Sequence, residues 1–304
     1  MFDVPILIIG FNRSDLLEEL IELLSSIEPQ KMLIAIDGPR LNNKRDETEV
    51  LRCRSILEKI IWDCEVHTRF NETNMGCGLG PSSAISWAFE HYEELIILED
   101  DIRPNLTFFP FASELLATYR NDDSILTISG HSPIDEIKNQ YSYRFSSHPE
   151  IWGWATWKRT WEKYEFHLSK VDHISLIRMF RIKGGNLLST IAVWRNFHGV
   201  FNGAADIWDY QLVHMSMRTN GKHVIPNVNL TNNVGFGKDA THTIFQPIDL
   251  PHVGWLDFPL VHPKDTSIDK LADRSTRQNQ NRQLLWSISK YFLNIFRIFL
   301  NRKT

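Results

Sequence analysis

Glu94-Leu95-Ile96-Ile97-Leu98-Glu99-Asp100-Asp101 is the stretch whose reading decides the fold. Four apolar residues run straight into three acids. A short continuous apolar run predicts a strand buried on both faces, as in a parallel sheet. Three carboxylates at its carboxyl end repel one another unless a cation or a hydrogen-bond network holds them. In open α/β sheets ligands bind outside the carboxyl ends of strands. The triplet therefore points to a hard divalent cation, held by few protein oxygens and completed by substrate phosphates. Taken alone, the stretch also fits a strand that ends in a solvated acidic turn.

The residues before this strand repeat one unit. Val4-Pro5-Ile6-Leu7-Ile8-Ile9-Gly10 reads as a strand, followed by Phe11-Asn12-Arg13 and a helix to Leu24 with Ser14 as its N-cap. Met32 to Ile36 is a second strand, ending in Asp37-Gly38-Pro39-Arg40, and a helix follows from about Glu47 to Ile61. Glu65 to Phe70 is a third strand. Asn74-Met75-Gly76-Cys77-Gly78-Leu79-Gly80-Pro81 then leads to a helix from about Ser82 to Tyr92. The repeated strand, loop and helix predict an α/β fold with a mostly parallel central sheet flanked by helices. The glycines match neither a dinucleotide fingerprint nor a P-loop. They serve either a tight turn or close approach of backbone to a ligand near a helix N-terminus.

After Asp101 the pattern changes. A helix is expected from about Thr107 to Tyr119 and a strand from Ser124 to Gly130. Trp152, Trp154, Trp157 and Trp161 fall within ten residues. They are either core or an aromatic wall facing a sugar. Asp206-Ile207-Trp208-Asp209-Tyr210-Gln211 opens a helix to Met217. A strand at Lys222 to Pro226 and a polar loop containing Gly235, Gly237 and His242 follow. His242, with Asp and Thr neighbours, is a candidate metal ligand or phosphate donor. At the end, Leu284 to Leu300 is broadly apolar, with Ser287, Lys290, Asn294, Arg297 and Asn301 on one polar stripe. That helix, 284–301, must cover its wide face with its own core, a partner subunit in a homodimer, or a membrane interface.

Composition bounds the rest. The 304 residues suffice for one large or two modest domains. The division expected is 1–245, split at 130/131, with 246–304 as an extension. A net charge of −4 gives no nucleic-acid footprint. The three cysteines, Cys53, Cys64 and Cys77, lack paired spacing, so neither a disulfide framework nor a zinc site is indicated. Without a signal peptide pattern or a run of 18 or more apolar residues, a cytoplasmic protein is expected, peripheral to the membrane if the terminal helix touches it.

The order of these motifs resembles that of the GT-A glycosyltransferases, Rossmann-like nucleotide-diphospho-sugar transferases, and within them the N-acetylglucosaminyltransferase I type and its bacterial relatives. The likeness runs from about Val4 to Thr243. It rests on Phe11-Asn12-Arg13, Asp37-Gly38, Asn74-Met75-Gly76, Glu99-Asp100-Asp101, Gly153-Trp154, Trp161, Trp208-Asp209 and Gly235-Phe236-Gly237, in that order. The resemblance implies that 1–245 is a catalytic unit with a nucleotide-sugar half (1–130) and an acceptor half (131–245), and that Asp101 holds the metal, Mn²⁺ or Mg²⁺, with His242 as a further ligand. Glu99 and Asp100 would contact the nucleotide sugar, and Asp37 a uracil. Phe11, Asn12, Arg13, Gly38, Asn74 and Gly76 would line the donor site. Asp209 would be the general base of an inverting transfer from a UDP-sugar to a glycan or lipid-linked acceptor, as in bacterial cell-surface polysaccharide synthesis. The family's second aspartate is replaced here by Tyr210, so Asp206 stands as an alternative base. Two rival readings are a sugar-phosphate nucleotidyltransferase, for which Phe11 to Ser14 lacks the glycine- and basic-rich loop, and an inactive sugar- or nucleotide-binding scaffold.

Overall fold

The computed structural model describes residues 2–135, 137, 140–168, 174–236 and 250–301. The first part alternates β1 (Ile6–Gly10), α1 (Ser14–Leu24), β2 (Lys31–Ile36), α2 (Lys44–Ser55), β3 (Glu65–Phe70), α3 (Gly76–His91) and β4 (Glu94–Glu99). Then come β5 (Ile102–Pro104), α4 (Phe108–Thr118), β6 (Ile125–Ser129), β7 (Tyr143–Ser146), β8 (Trp154–Trp157) and α5 (Lys158–Trp161). The chain continues through α6 (Leu176–Ile182), α7 (Leu187–Phe201), α8 (Asp209–Thr219), β9 (Lys222–Pro226), β10 (Thr231–Asn233) and α9 (Lys270–Asn301).

Eight strands form one sheet in the order β3-β2-β1-β4-β8-β6-β9-β7. β3, β2, β1 and β4 are mutually parallel, β8 runs antiparallel between β4 and β6, and β9 pairs parallel with β6. The expected mixed α/β class, with a large, mostly parallel sheet between helices, is what the chain adopts. The reason lies in its strands. Ile6, Ile8, Met32, Ile34, Ile96 and Leu98 point to one face, onto α1, α2 and α4, while Leu7, Ile9, Leu33, Leu95 and Ile97 point to the other, onto α3 and α8. Covering both faces requires the uninterrupted apolar runs seen in the sequence.

Several local expectations change. Ser14 does not cap α1, because its hydroxyl is spent on Glu49 Oε2 at 2.6 Å. α2 starts earlier than expected, with the Asn43 side chain accepting from the Asp46 N–H. α3 starts at Gly76 rather than Ser82 and carries Pro81 inside it. The terminal helix begins at Lys270, fourteen residues before the expected start at 284, because Asp269 caps it, accepting from the Leu271 (3.1 Å) and Ala272 (2.9 Å) N–H groups, while the hydroxyls of Ser146 (2.7 Å) and Ser147 (2.6 Å) hold Asp273 at the end of β7. Its polar stripe, Ser287 through Asn301, includes side chains outside the described set. Among the described residues, no helix is long and apolar enough to cross a membrane.

Candidate functional site

β2, β1 and β4 lie side by side and parallel, so their carboxyl ends deliver Asp37, Arg13 and the acid triplet to one edge of the sheet. Asp100 is buried, and Asp101 is 8% exposed. The Arg13 guanidinium forks between them, reaching Asp101 Oδ2 at 2.8 Å and pairing with Asp100 Oδ1. Burial works against the Arg13 charge, but the two aspartates more than offset it and raise its pKa. Burial pushes Asp100 up to about 6 even with Arg13 pulling the other way. Glu99 is pushed up to about 8 by burial and by the charges of Asp101 and Asp100, and Asp209 adds to the same effect. Three acids at a strand tip are thus held by one cation and by protons.

Asp101 keeps one oxygen for something else. Its Oδ1 is buried with no hydrogen-bond partner. The backbone of Gly235 lies against the other oxygen, so close that a Cβ there would sit 2.0 Å from Oδ2, and Val234 N–H donates to the Asp101 carbonyl at 2.9 Å. A buried carboxylate oxygen without a partner costs about 1–3 kcal/mol or more. A hard cation is the partner it suits. Among the described residues, no group of three or more His, Cys, Asp or Glu side chains converges to hold a metal. His242 and Gly237 lie outside the described residues.

Asp37 sits at the hub of a turn. It accepts from the Gly38 N–H (2.9 Å), Asn71 Nδ2 (2.9 Å), Asn74 Nδ2 (2.9 Å) and the Met75 N–H (3.0 Å). A Cβ on Gly38 would meet the Thr73 backbone at 2.5 Å, so only glycine allows that approach. Asn12 Nδ2 donates to the buried Asp46 at 2.8 Å, and the Arg40 guanidinium stands 5.5 Å from the centre of the Phe11 ring. Phe11, Asn12 and Asn74 therefore shape the edge by holding its loops.

The two candidate bases have different surroundings. Asp206 accepts from the Cys77 N–H at 2.9 Å and the Gly78 N–H at 2.7 Å, the second and third residues of α3. A helix N-terminus leaves such donors unpaired, and here a carboxylate from some 130 residues away satisfies them. Gly76, at φ +79°, and Gly78 leave room for it, since a Cβ on either would lie 2.3 or 2.7 Å from an Asp206 oxygen. The glycine stretch is thus neither a simple turn nor, in this state, open to a ligand. Asp209 opens α8. Its backbone neighbour Trp208 stacks on Trp154 of β8 at 5.9 Å, and Trp154 pairs with Ile97 of β4. Tyr164, stacked on Trp161 at 4.1 Å, donates its hydroxyl to the Trp208 carbonyl at 2.9 Å. Burial and the charge of Asp209 raise the Tyr164 pKa. Tyr164 escaped the sequence reading, since no motif marks it.

Trp154, Trp157 and Trp161 are buried, with the indoles of Trp157 and Trp161 donating to Leu116 O (3.3 Å) and Ser86 Oγ (2.9 Å). The core alternative therefore holds for these three. Trp152 is partly buried, 4.5 Å from His131 and 5.9 Å from Phe236. A cavity of about 450 Å³ lies beside Tyr164, between α3 and the segment after α5, with Trp87, Glu90 and Phe166 in its wall.

No family model matches the chain, and no curated protein matches it. Among solved structures, HddC from Yersinia pseudotuberculosis is 13% identical over 56% of this chain and 84% of its own, with a TM-score of 0.36. Mannose-1-phosphate geranyltransferase from Thermus thermophilus is 11% identical over 76% of this chain and 75% of its own, also at 0.36. A UDP-glucose pyrophosphorylase complexed with UDP-glucose is 13% identical over 49% and 64%, at 0.26. At these scores the likeness carries nothing about chemistry, and the α/β class stands on the sheet itself.

Proposed function

We propose that this protein is an inverting, metal-dependent GT-A glycosyltransferase that uses a nucleotide-diphospho-sugar, a UDP-sugar in the first instance. The observation that carries this reading is the partnerless buried Oδ1 of Asp101 at the tip of β4, beside Arg13, with Asp209 acting electrostatically on the neighbouring Glu99. Asp101 is the residue that would hold Mn²⁺ or Mg²⁺, and such an ion supplies Lewis-acid stabilisation of the departing diphosphate. His242 is proposed as a second ligand on the family resemblance alone.

Asp209 is the proposed general base. It takes the proton of the acceptor hydroxyl as that oxygen bonds to the anomeric carbon and the bond from that carbon to the diphosphate breaks. No protein nucleophile enters. The hydrogen bonds of Asp206 to α3 make it a support for the loop that leads to Asp209, three residues on, rather than a second base. Arg13, already neutralising two aspartates, sets the net charge that meets the incoming diphosphate. Asp37 shapes the turn against which the nucleotide would lie.

The test is calorimetry of UDP binding with Mn²⁺ or EDTA, on the native protein and on Asp101→Ala. Binding that requires both the ion and Asp101 supports the donor site. Tight binding that ignores both refutes it. Incubation with a UDP-sugar panel then separates transfer, which releases UDP, from nucleotidyl transfer, which would exchange pyrophosphate into UTP.

A further inference from the structure

The molecule's charge is separated as sharply as its polarity. Between Ile174 and Ala205 the sequence holds four basic residues and no acid, and from Arg274 to Thr304 it holds seven basic residues and no acid. These two segments therefore carry eleven of the 33 lysines and arginines and none of the 37 acids. Of these basic residues, Arg181, Arg195, Arg274 and Arg282 stand exposed, which suits an anionic partner. The segments meet in space, because Ser189 near the start of α7 bonds to Asn281 of α9.

The same region turns apolar side chains outward. α7 buries Val193, Phe197 and Val200 against α8, yet Leu187 (64% exposed), Leu188, Ile191 and Trp194 form a second stripe on its opposite side. On α6, Met179 packs inward, while Leu176 (54%), Ile177 (67%) and Phe180 face out. A helix apolar all round belongs in a core or against another apolar phase. Clusters of exposed apolar side chains mark protein or membrane contacts. Arg181 and Arg195 stand exposed among these side chains. Apolar residues with tryptophan, interleaved with arginines and free of acids, are the composition of an interfacial helix on anionic lipid.

We propose that the α6–α7 face, together with Arg274 and Arg282 of the neighbouring α9, docks on the surface of an anionic lipid bilayer. The body outside these two segments holds all of the acids and is repelled by such a surface, so the charge distribution also sets which side faces the lipid. α7 packs directly against α8, which begins at Asp209, so docking brings the proposed base toward the bilayer. On the transfer reading, and only on it, this favours a lipid-linked acceptor.

The test is co-sedimentation of the full chain with phosphatidylcholine vesicles, with and without about 30% phosphatidylglycerol. It is repeated for Ile177→Asp/Leu187→Asp and for Arg181→Ala/Arg195→Ala, with light scattering for oligomeric state. Because the four positions are exposed, folding should survive, and a thermal melt checks it. The expected result is a monomer that binds anionic vesicles about tenfold or more better than neutral ones, with binding lowered about tenfold in both double variants and weakened by salt. Equal affinity for both vesicles, undiminished binding in the aspartate variant, or a stable dimer that this variant splits would overturn the proposal. UDP binding is measured in parallel. If it is absent while lipid binding stands, the transfer reading has failed and this one has not.

Discussion

The edge formed by β1, β2 and β4 and the aromatic region around Trp154, Trp161, Tyr164 and Trp208 are built on opposite principles. At the first edge polar groups are closed by hydrogen bonds between neighbouring loops: Asp37 takes one donor from Gly38 and three from the loop after β3, and Asp46 takes Asn12 and Arg40. In the second region aromatic stacking does the positioning. Trp154 stacks on Trp208 and Trp161 on Tyr164, and a tilted Trp161–Trp208 contact joins the two pairs beside the start of the helix that carries Asp209. The difference teaches that the first edge is set before any ligand arrives, whereas the second presents one carboxylate on a rigid apolar support and turns the rest of its surface outward.

Asp209→Asn breaks the comparison at its most sensitive point. Turnover should fall by about 10²–10⁴-fold while UDP affinity stays unchanged. Unchanged turnover would move the base elsewhere. Next in size is Trp154→Ala, expected to cost about 3–5 kcal/mol in denaturant unfolding, as for a fully buried large ring. A loss well under about 1 kcal/mol would mean the stack is not core.

Asp206→Ala removes the cap of α3 and should cost about 0.5–2 kcal/mol, lowering Tm with only a modest drop in turnover. Were turnover abolished with Tm intact, Asp206 would be the base instead of a support.

The last effect concerns pH. The pKa of Glu99 in the folded protein, about 8, exceeds its ordinary 4.5, so the folded state holds a proton that the unfolded state has released between these values. Its contribution to stability is complete below pH 4.5 and is lost as pH rises through 8. Glu99→Gln should flatten the decline in Tm between about pH 5 and 9, and an unaltered slope would assign the decline to other groups.

How much of this was legible follows from the range of the interactions. β1 through β4 could be read because each strand carries its own two-sided apolar code and each loop its own polar punctuation. β7, β8, α6 and α7 went unread. β7 is four residues long and paired to β9, and β8 was hidden inside its tryptophans. The start of α3 was misplaced because Pro81 reads locally as a first turn, while the true first turn is capped by Asp206 from far along the chain. Arg13 was legible as a site residue, but its pairing with both Asp100 and Asp101 was not, since nothing in Phe11-Asn12-Arg13 states which carboxylates lie opposite.

By itself, the sequence determined the α/β class, the acid-tipped β4, and the separation of basic from acidic segments, because apolar periodicity and charge are properties of contiguous residues. Only the tertiary structure decided that Asp206 caps α3 while Asp209 stands on a tryptophan stack, that Asp101 alone of the triplet keeps a buried oxygen without a partner, and that α6 and α7 turn apolar stripes outward. Each of these depends on which groups meet across a hundred or more residues, or on which side of a helix its own core leaves uncovered. Local pattern encodes neither.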